Sequence, residues 1–200
     1  MKASDIQIVS TDPFEQFKIW YKPVTETGEK YYNAVALSTA SPGGQVSSRI
    51  VLLKDFNSRG FVFYTNFNSR KGLQIKSNPN AAMLFYWPLF KQQVRIEGEI
   101  IKVMEEEADK YFNSRPIGHK LNALVSRQSS RIDNRKSLIK SLEELKVEYQ
   151  DQEPVRPEYW GGYRLVPKMF EFWQEGLDRF HDRIVYETAD GAWEIYRLSP

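Results

Sequence analysis

The sequence predicts one domain made mainly of antiparallel β-strands, with helices flanking the sheet. Short β-rich runs fill residues 33–103 and return after residue 160, whereas helical periodicity is concentrated in residues 105–149. Strands and helices do not alternate as they do in parallel βαβ folds, which favours an antiparallel sheet or barrel. With 200 residues, 41% of them hydrophobic, the chain is long enough to form one core without metal or disulfide support.

The first predicted element is a helix over residues 12–21. Asp12 fits the N-cap and Pro13 the first helical position, and the aromatic residues that follow recur at helical spacing. Residues 1–11 precede this helix and are predicted to be a flexible segment of a single domain over residues 1–200.

A β-hairpin follows, with strands predicted at residues 33–38 and 46–54 on either side of a Ser-Pro-Gly-Gly turn. Further predicted elements are strands at residues 60–65, 81–87 and 92–103 and an amphipathic helix at residues 69–77. Gly98 interrupts the last of these strands and predicts a bulge or bend, as a small barrel requires.

The second half of the chain begins with helices predicted at residues 105–114 and 134–149. The longer helix carries Leu138, Leu142 and Leu145 on one stripe, which is typical of a helix that packs by one face. Strands are then predicted at residues 162–165, 169–174, 182–186 and 193–198.

The composition excludes several classes of site. The chain has no cysteine and only two histidines, so disulfides, thiolate chemistry and a histidine-rich metal centre are excluded, and no metal is expected. The first residues lack the apolar core of a secretory signal and no apolar run approaches the length of a membrane span, so a cytoplasmic protein without membrane contact is expected.

The net charge of +2 hides a segregation of charge along the chain. Residues 110–140 hold eight lysines or arginines and one acidic residue, whereas residues 143–158 hold six acidic and two basic residues. A local basic surface in a nearly neutral protein favours a small anionic ligand over a long polyanion. The alternative is a solvated helix face.

Basic residues cluster where predicted strands end. Arg49 and Lys54 are five positions apart, so a regular strand would point them to opposite faces. After a strand that ends at Thr65, Arg70 and Lys71 open a helix, where cations, hydroxyls and free N–H groups suit a phosphate. From spacing alone, a capped helix with two solvated cations is the favoured interpretation of this helix start.

The densest cluster is the run RFHDR at residues 179–183. Alternation along a strand would place Arg179, His181 and Arg183 on one face. Three such groups together would be costly to bury without an anion, so this run is the strongest indication of a site from residues alone. The chain contains none of the GxGxxG, GxxxxGK[ST], GxSxG or HExxH motifs.

The ordered set of such segments resembles the pyridoxine/pyridoxamine 5′-phosphate oxidase family over about residues 12–200. The segments that carry the resemblance are RIVLLK, FYTNFNSRKG, YFNSRP, VSRQSS, YWGGYR, EFWQ, RFHDRIVY and the final W-x-I-Y-R-L-S-P. Each is weak alone, but their shared order makes the match specific.

The resemblance implies a homodimer of six-stranded split β-barrels with FMN bound at the subunit interface. It implies oxidation of pyridoxine 5′-phosphate or pyridoxamine 5′-phosphate to pyridoxal 5′-phosphate. A hydride would pass from substrate C4′ to flavin N5, and O2 would be reduced to H2O2, with ammonia released from the amine substrate. No nucleic-acid partner is expected.

The matching motifs also imply roles for individual residues. The residues implied to bind FMN are Arg49, Ile50, Val51, Leu52, Leu53, Lys54, Tyr64, Thr65, Arg70, Lys71, Gln93, Gln128, Ser129, Trp173 and Arg183. The residues implied to bind the substrate are Lys54, Tyr111, Arg115, His119, Arg179 and His181, of which Arg179 and His181 would lie over the pyridine ring as catalytic residues.

The chain departs from the family pattern in three places. His119 and Lys120 stand where members usually carry a serine and a glutamine, and the serine donates to the substrate phosphate. Phe180 replaces a leucine, and the N-terminal segment lacks the basic, tyrosine-bearing arm of many members.

Two alternatives remain open. The first is a flavin-dependent oxidoreductase of the same superfamily with another substrate, which the departure at residues 117–120 would allow. The second is a non-catalytic protein that carries flavin or a vitamin B6 phosphate, or binds nucleic acid through residues 110–140 with a steep salt dependence.

Overall fold

The computed structural model describes residues 5–200. The α-helices are α1 Pro13–Thr25, α2 Arg70–Ser77, α3 Glu105–Asn113, α4 Ile117–Val125 and α5 Arg135–Glu148. The strands are β1 Ala34–Ala40, β2 Val46–Leu52, β3 Asp55–Asn57, β4 Gly60–Asn66, β5 Asn80–Trp87, β6 Gln92–Lys102, β7 Trp160–Gln174, β8 Asp182–Ala189 and β9 Ala192–Arg197. None of the described helices is long and apolar enough to cross a membrane.

The strands form one antiparallel sheet in the order β2-β1-β5-β6-β7-β4-β3, with β8 and β9 added beyond β7. The sheet curls so that the two ends of this path meet, because only Leu53 and Lys54 separate β2 at one end from β3 at the other. This confirms the predicted mainly antiparallel sheet with flanking helices, in the form of a half-barrel.

The core lies between the curled sheet and α1. Asp12 caps this helix by accepting a hydrogen bond from the Phe14 N–H, as predicted. Phe17 is fully buried, and its ring packs edge-on against Phe61 and Phe85 at centroid distances of 4.9 and 5.1 Å. Aromatic pairs of this kind add stability beyond their buried area, which explains the use of an aromatic-rich helix to fill the barrel.

The predicted bulge at Gly98 is confirmed by a register shift between Glu97 and Gly98. A Cβ at Gly98 would lie 2.0 Å from the Val166 carbonyl oxygen, so the close approach of β6 and β7 requires glycine here. The prediction of two separate strands at residues 162–165 and 169–174 is wrong, because β7 runs continuously past this bulge.

Residues 5–11 of the segment predicted to be flexible lie against β8, whereas residues 1–4 lie outside the described residues. Ile6 is buried in the core and its N–H donates to Asp182 Oδ2 at 2.6 Å. The Tyr186 hydroxyl donates to the Ser10 carbonyl at 2.8 Å. Two side chains of β8, Asp182 and Tyr186, therefore hold this part of the segment.

Candidate active site

A pocket of about 710 Å³ opens between β2, β4, α2, α3 and α4. Its volume lies in the range of small-molecule and cofactor sites. The predicted site residues that line it are Arg49, Ile50, Val51, Leu52, Lys54, Tyr64, Thr65, Arg70, Lys71, Tyr111, Arg115, His119, Gln128 and Ser129. Leu53 does not line it, because its side chain is buried in the core.

Arg49 and Lys54 line the same pocket, so the expectation that they point to opposite faces is wrong. The expectation assumed a regular strand, but β2 ends at Leu52 and Lys54 lies beyond its end. Strand alternation no longer governs the direction of a side chain there.

The pocket contains a buried lysine at the start of α2. Lys71 is only 7% exposed, and its Nζ donates to Thr65 Oγ1 at 3.0 Å and to Gln128 Oε1 at 2.9 Å. Burial, with a smaller contribution from the charge of Arg49, lowers the pKa of Lys71 to about 8. The favoured interpretation of the helix start as solvated is therefore wrong for Lys71, although Arg70 is exposed.

Arg49 lies beside this lysine and also has only neutral partners. Its guanidinium donates to Thr39 Oγ1 at 2.7 Å and to Ser47 Oγ at 2.6 Å. Burial and the charge of Arg70 lower the pKa of Arg49. Within residues 5–200, no carboxylate pairs with Arg49, Arg70 or Lys71, so this part of the pocket carries uncompensated positive charge and fits a phosphate group.

Stacked aromatic rings form the opposite wall. The rings of Tyr64 and Tyr111 are 3.9 Å apart and nearly parallel, and Trp160 extends the stack. The Arg115 guanidinium lies 4.5 Å from the Trp160 ring, and its buried Nη1 has no hydrogen-bond partner in the described part of the chain. Burial lowers the pKa of Arg115 and raises that of Tyr64 to about 12. This wall therefore offers a second position for an anion.

Several lining residues were not predicted. Trp160, Asn66 and Ser126 line the pocket, and Trp160 supports Arg115 directly. The sequence gives one local signal for Trp160, the adjacent glycine pair at positions 161 and 162, where a side chain would collide with Phe67, Val103 and Tyr64.

The remaining predicted site residues lie outside this pocket and form what we term the C-terminal cluster: Gln93, Trp173, Arg179, His181 and Arg183. Gln93 pairs with Trp173 across β6 and β7, and Trp173 pairs with Arg183 across β7 and β8. The His181 and Trp173 rings lie 4.7 Å apart. One chain thus brings the predicted residues together in two groups rather than one.

The prediction that Arg179, His181 and Arg183 share one strand face is wrong. Residues Leu177–Arg179 form a short 3-10 turn, Arg179 has a φ of 65°, and β8 begins only at Asp182. His181 is held in this turn because its Nδ1 accepts a hydrogen bond from the Gly176 N–H at 3.2 Å. The turn, not strand alternation, sets the direction of these side chains.

Two family models match the chain, one over most of its length and one over its C-terminal part. Residues 25–148 match the model described as pyridoxamine 5′-phosphate oxidase, and residues 160–200 match that of the pyridoxine 5′-phosphate oxidase C-terminal dimerisation region. A pyridoxine/pyridoxamine 5′-phosphate oxidase of Trichormus variabilis is 48% identical over 193 residues, which cover 96% of this chain and 90% of the relative.

Two solved structures extend the comparison. PhzG from Burkholderia lata, in complex with tetrahydrophenazine-1-carboxylic acid, superposes with a TM-score of 0.91 at 30% identity and covers 99% of this chain and 100% of its own. A pyridoxamine 5′-phosphate oxidase-related, FMN binding protein from Nostoc punctiforme has a TM-score of 0.76 at 16% identity, covers 96% and 100% of the two chains, and supports the fold alone.

Fold and pocket together define a split β-barrel whose pocket is built to receive anions. Within that class, the chain belongs to the pyridoxine/pyridoxamine 5′-phosphate oxidase family.

Proposed function

We propose that the protein oxidises pyridoxine 5′-phosphate or pyridoxamine 5′-phosphate to pyridoxal 5′-phosphate with FMN as its cofactor. The observation that carries the proposal is the pair of anion positions in one pocket: uncompensated cations around Lys71 on one side and Arg115 on the aromatic wall. A phosphorylated cofactor and a phosphorylated substrate that react together require two such positions. The 48% identity to a relative of this name supports the same activity.

Lys71, Arg49 and Arg70 would hold the phosphate of FMN, since a buried lysine with only neutral partners gains most from a dianion. Bound FMN would supply the redox chemistry of the reaction, as acceptor of the C4′ hydride and as the group that O2 re-oxidises with formation of H2O2. The protein mainly binds both partners and orients them, which lowers the entropic cost of the reaction.

Arg115 would bind the substrate phosphate, supported by Lys54, Tyr111 and His119 around the same end of the pocket. The guanidinium is fixed against the Trp160 ring and has a buried donor still available. Because that donor is already desolvated, an arriving phosphate oxygen gains a hydrogen bond at little further cost. Holding the phosphate at this point would also fix where in the pocket the carbon to be oxidised lies.

A homodimer would join the two groups of residues into one site. Residues paired across antiparallel strands share a face, so Tyr86, Gln93, Trp173 and Arg183 lie in one row on the outer side of the sheet. The same face carries exposed apolar side chains, with Ile50 65% and Tyr86 57% exposed. A second copy covering this face would bring its C-terminal cluster, with Arg179 and His181, to the pocket.

Binding of nucleic acid through the basic residues of segment 110–140 is less well supported. Three of its eight basic residues are already engaged within the chain: Arg115 lines the pocket, Lys120 pairs with Glu153 at 2.7 Å and Lys140 pairs with Glu144 at 3.7 Å. The likeness to PhzG favours a second candidate, oxidation of a non-phosphorylated ring carboxylic acid by the same cofactor.

The test is an assay of the FMN-reconstituted protein in air with each of the two B6 phosphates. We expect pyridoxal 5′-phosphate and H2O2 in equal amounts from at least one of them. A protein that binds FMN but oxidises neither compound would contradict the proposed substrate and favour the second candidate. A protein that binds no FMN would contradict the proposal as a whole.

A further inference from the structure

Glu171 is a buried acid on β7 that the proposed function leaves without a role. It is 3% exposed and lies two positions before Trp173, so both side chains belong to the same face of the sheet. Buried carboxylates are rare unless they are paired, because desolvation of the charge is costly. The partners of Glu171 therefore indicate what the carboxylate is for.

Two arginines share this carboxylate. Arg183 donates from Nε to Oε1 at 2.8 Å, and Arg95 donates from Nη2 to Oε2 at 2.6 Å. Burial raises the pKa of Glu171, but the hydrogen bonds and charges of Arg183 and Arg95 outweigh it and hold that pKa below its usual value. Glu171 is thus an ionised anchor on which Arg183 is oriented.

The Arg183 guanidinium is held along two of its edges. Besides the Nε bond to Glu171, its Nη1 donates to the Ser199 carbonyl at 2.9 Å. Within the described residues, Nη2 makes no hydrogen bond, and Arg183 pairs across the strands with Trp173 of the C-terminal cluster. The planar fork is fixed, with one nitrogen left for a ligand.

We propose that Glu171 is a positioning residue that pre-orients Arg183 for the flavin at the subunit interface. This inference rests on the proposed function, in which the C-terminal cluster of one copy meets the pocket of another. Fixing a long side chain before binding removes an entropic cost that the ligand would otherwise bear. Loss of the anchor is therefore expected to weaken FMN binding by about tenfold without removing any atom that touches the cofactor.

The chain provides a matched control in Glu97. It pairs with Arg95 at 3.2 Å on the same face of the sheet, but it makes no bond to Arg183 and its side chain is 45% exposed. Glu97→Gln removes one charge next to Arg95, as Glu171→Gln does. A general effect of charge or of sheet stability would act in both variants, whereas orientation of Arg183 is lost in only one.

The experiment measures the FMN dissociation constant by flavin fluorescence, together with the apo-protein Tm and the oligomeric state. The proteins compared are the wild type, Glu171→Gln, Glu97→Gln, Arg183→Ala and the double variant Glu171→Gln/Arg183→Ala. We expect about tenfold weaker binding for Glu171→Gln and no change for Glu97→Gln. In the double variant, Glu171→Gln should add nothing to the effect of Arg183→Ala.

Additive effects in the double variant, or unchanged FMN affinity in Glu171→Gln, would overturn the inference. If Glu171→Gln does not fold, Glu171→Asp serves instead, because it keeps the charge but shortens the reach to Arg183, and an unchanged dissociation constant again overturns it. Failure of the wild type to bind FMN would contradict the proposed function itself, so the two failures are distinguishable.

Discussion

The pocket and the C-terminal cluster both carry basic side chains, but these side chains have neutral partners in the pocket and a carboxylate partner in the cluster. In the pocket, Lys71 and Arg49 have only neutral hydroxyl and amide partners, and burial lowers the pKa of each. In the cluster, Arg183 is bonded to the carboxylate of Glu171, which raises its pKa. The first region carries uncompensated positive charge that an anion would neutralise, whereas Arg183 in the second region is already paired with a carboxylate and fixed in orientation.

This difference suits the two regions to different tasks, binding of a phosphate in the pocket and orientation of hydrogen-bond donors in the cluster. Uncompensated buried cations are costly in the empty protein and gain most when a phosphate arrives. Cations that are already paired gain little from a further anion, but they present donors in a fixed direction. Substitutions of Lys71 and Arg49 should therefore alter cofactor affinity, and substitutions in the turn next to Arg183 should alter turnover.

The largest effect is expected from the turn of the cluster. Arg179→Ala or His181→Ala should lower kcat/KM by about 100-fold or more, because both would lie over the substrate ring in the proposed dimer, while FMN binding stays within about twofold of the wild type. Phe180→Leu is the control, since Phe180 lies in the same turn with its ring exposed to solvent. Near-normal catalytic efficiency in both alanine variants would show that this region does not orient the substrate.

A smaller effect is expected from the pocket. Lys71→Met should weaken FMN binding by about 10- to 100-fold, the equivalent of one charge-assisted hydrogen bond. The Tm of the apo-protein should not fall, because the buried lysine has no acidic partner among residues 5–200. Lys76→Met, at an exposed position of the same helix, is the matched control. An unchanged FMN dissociation constant would remove Lys71 from the phosphate site.

The pH dependence of FMN binding should follow the ionisation of Lys71. With a pKa of about 8, Lys71 is protonated below that pH in the apo-protein and loses its proton above it. A phosphate favours the protonated form, so FMN affinity should be constant just below pH 8 and fall by up to about tenfold per unit above it. Titration calorimetry at several pH values measures this, and the slope should vanish in Lys71→Met. A slope that persists there would assign it to another group.

The smallest effect is expected at His119, on the rim of the pocket. His119→Ser introduces the serine that the family resemblance implies at this position, and Arg115 would still supply the main phosphate contact in the proposed function, so kcat should be retained and KM should stay the same or fall. Steady-state kinetics with pyridoxamine 5′-phosphate measures both constants. A large loss of kcat would mean that His119 has a role of its own in this chain.

Local patterns predicted the elements that local forces determine. The cap and aromatic spacing of α1, the hairpin of β1 and β2 and the bulge at Gly98 were all readable from neighbouring residues. Helix α4 was missed because its N-cap position, Pro116, provides no capping side chain, and β3 because it is only three residues long. The continuity of β7 depends on pairing with β6, which is a non-local contact.

The candidate site shows the same limit. Motif resemblance identified most of the residues that line the pocket, but not that the predicted site residues divide into two groups. Trp160 and Glu171 were missed because their importance lies in contacts with Arg115 and Arg183, which are distant in sequence or on another strand. Strand alternation misplaced Lys54 and His181, since both lie outside the strands that were assumed.

The proposed dimer takes the pocket of each active site from one subunit and the C-terminal cluster from the other. It is tested most directly by mixing two variants that are each inactive alone, Arg115→Ala and His181→Ala, under conditions that allow subunit exchange. In a hybrid dimer, one site would carry both substitutions and the other neither. We predict recovery of about a quarter of wild-type activity, because half of the dimers are hybrids and each has one intact site. A mixture that exchanges subunits and stays inactive would show that each site is built within a single chain.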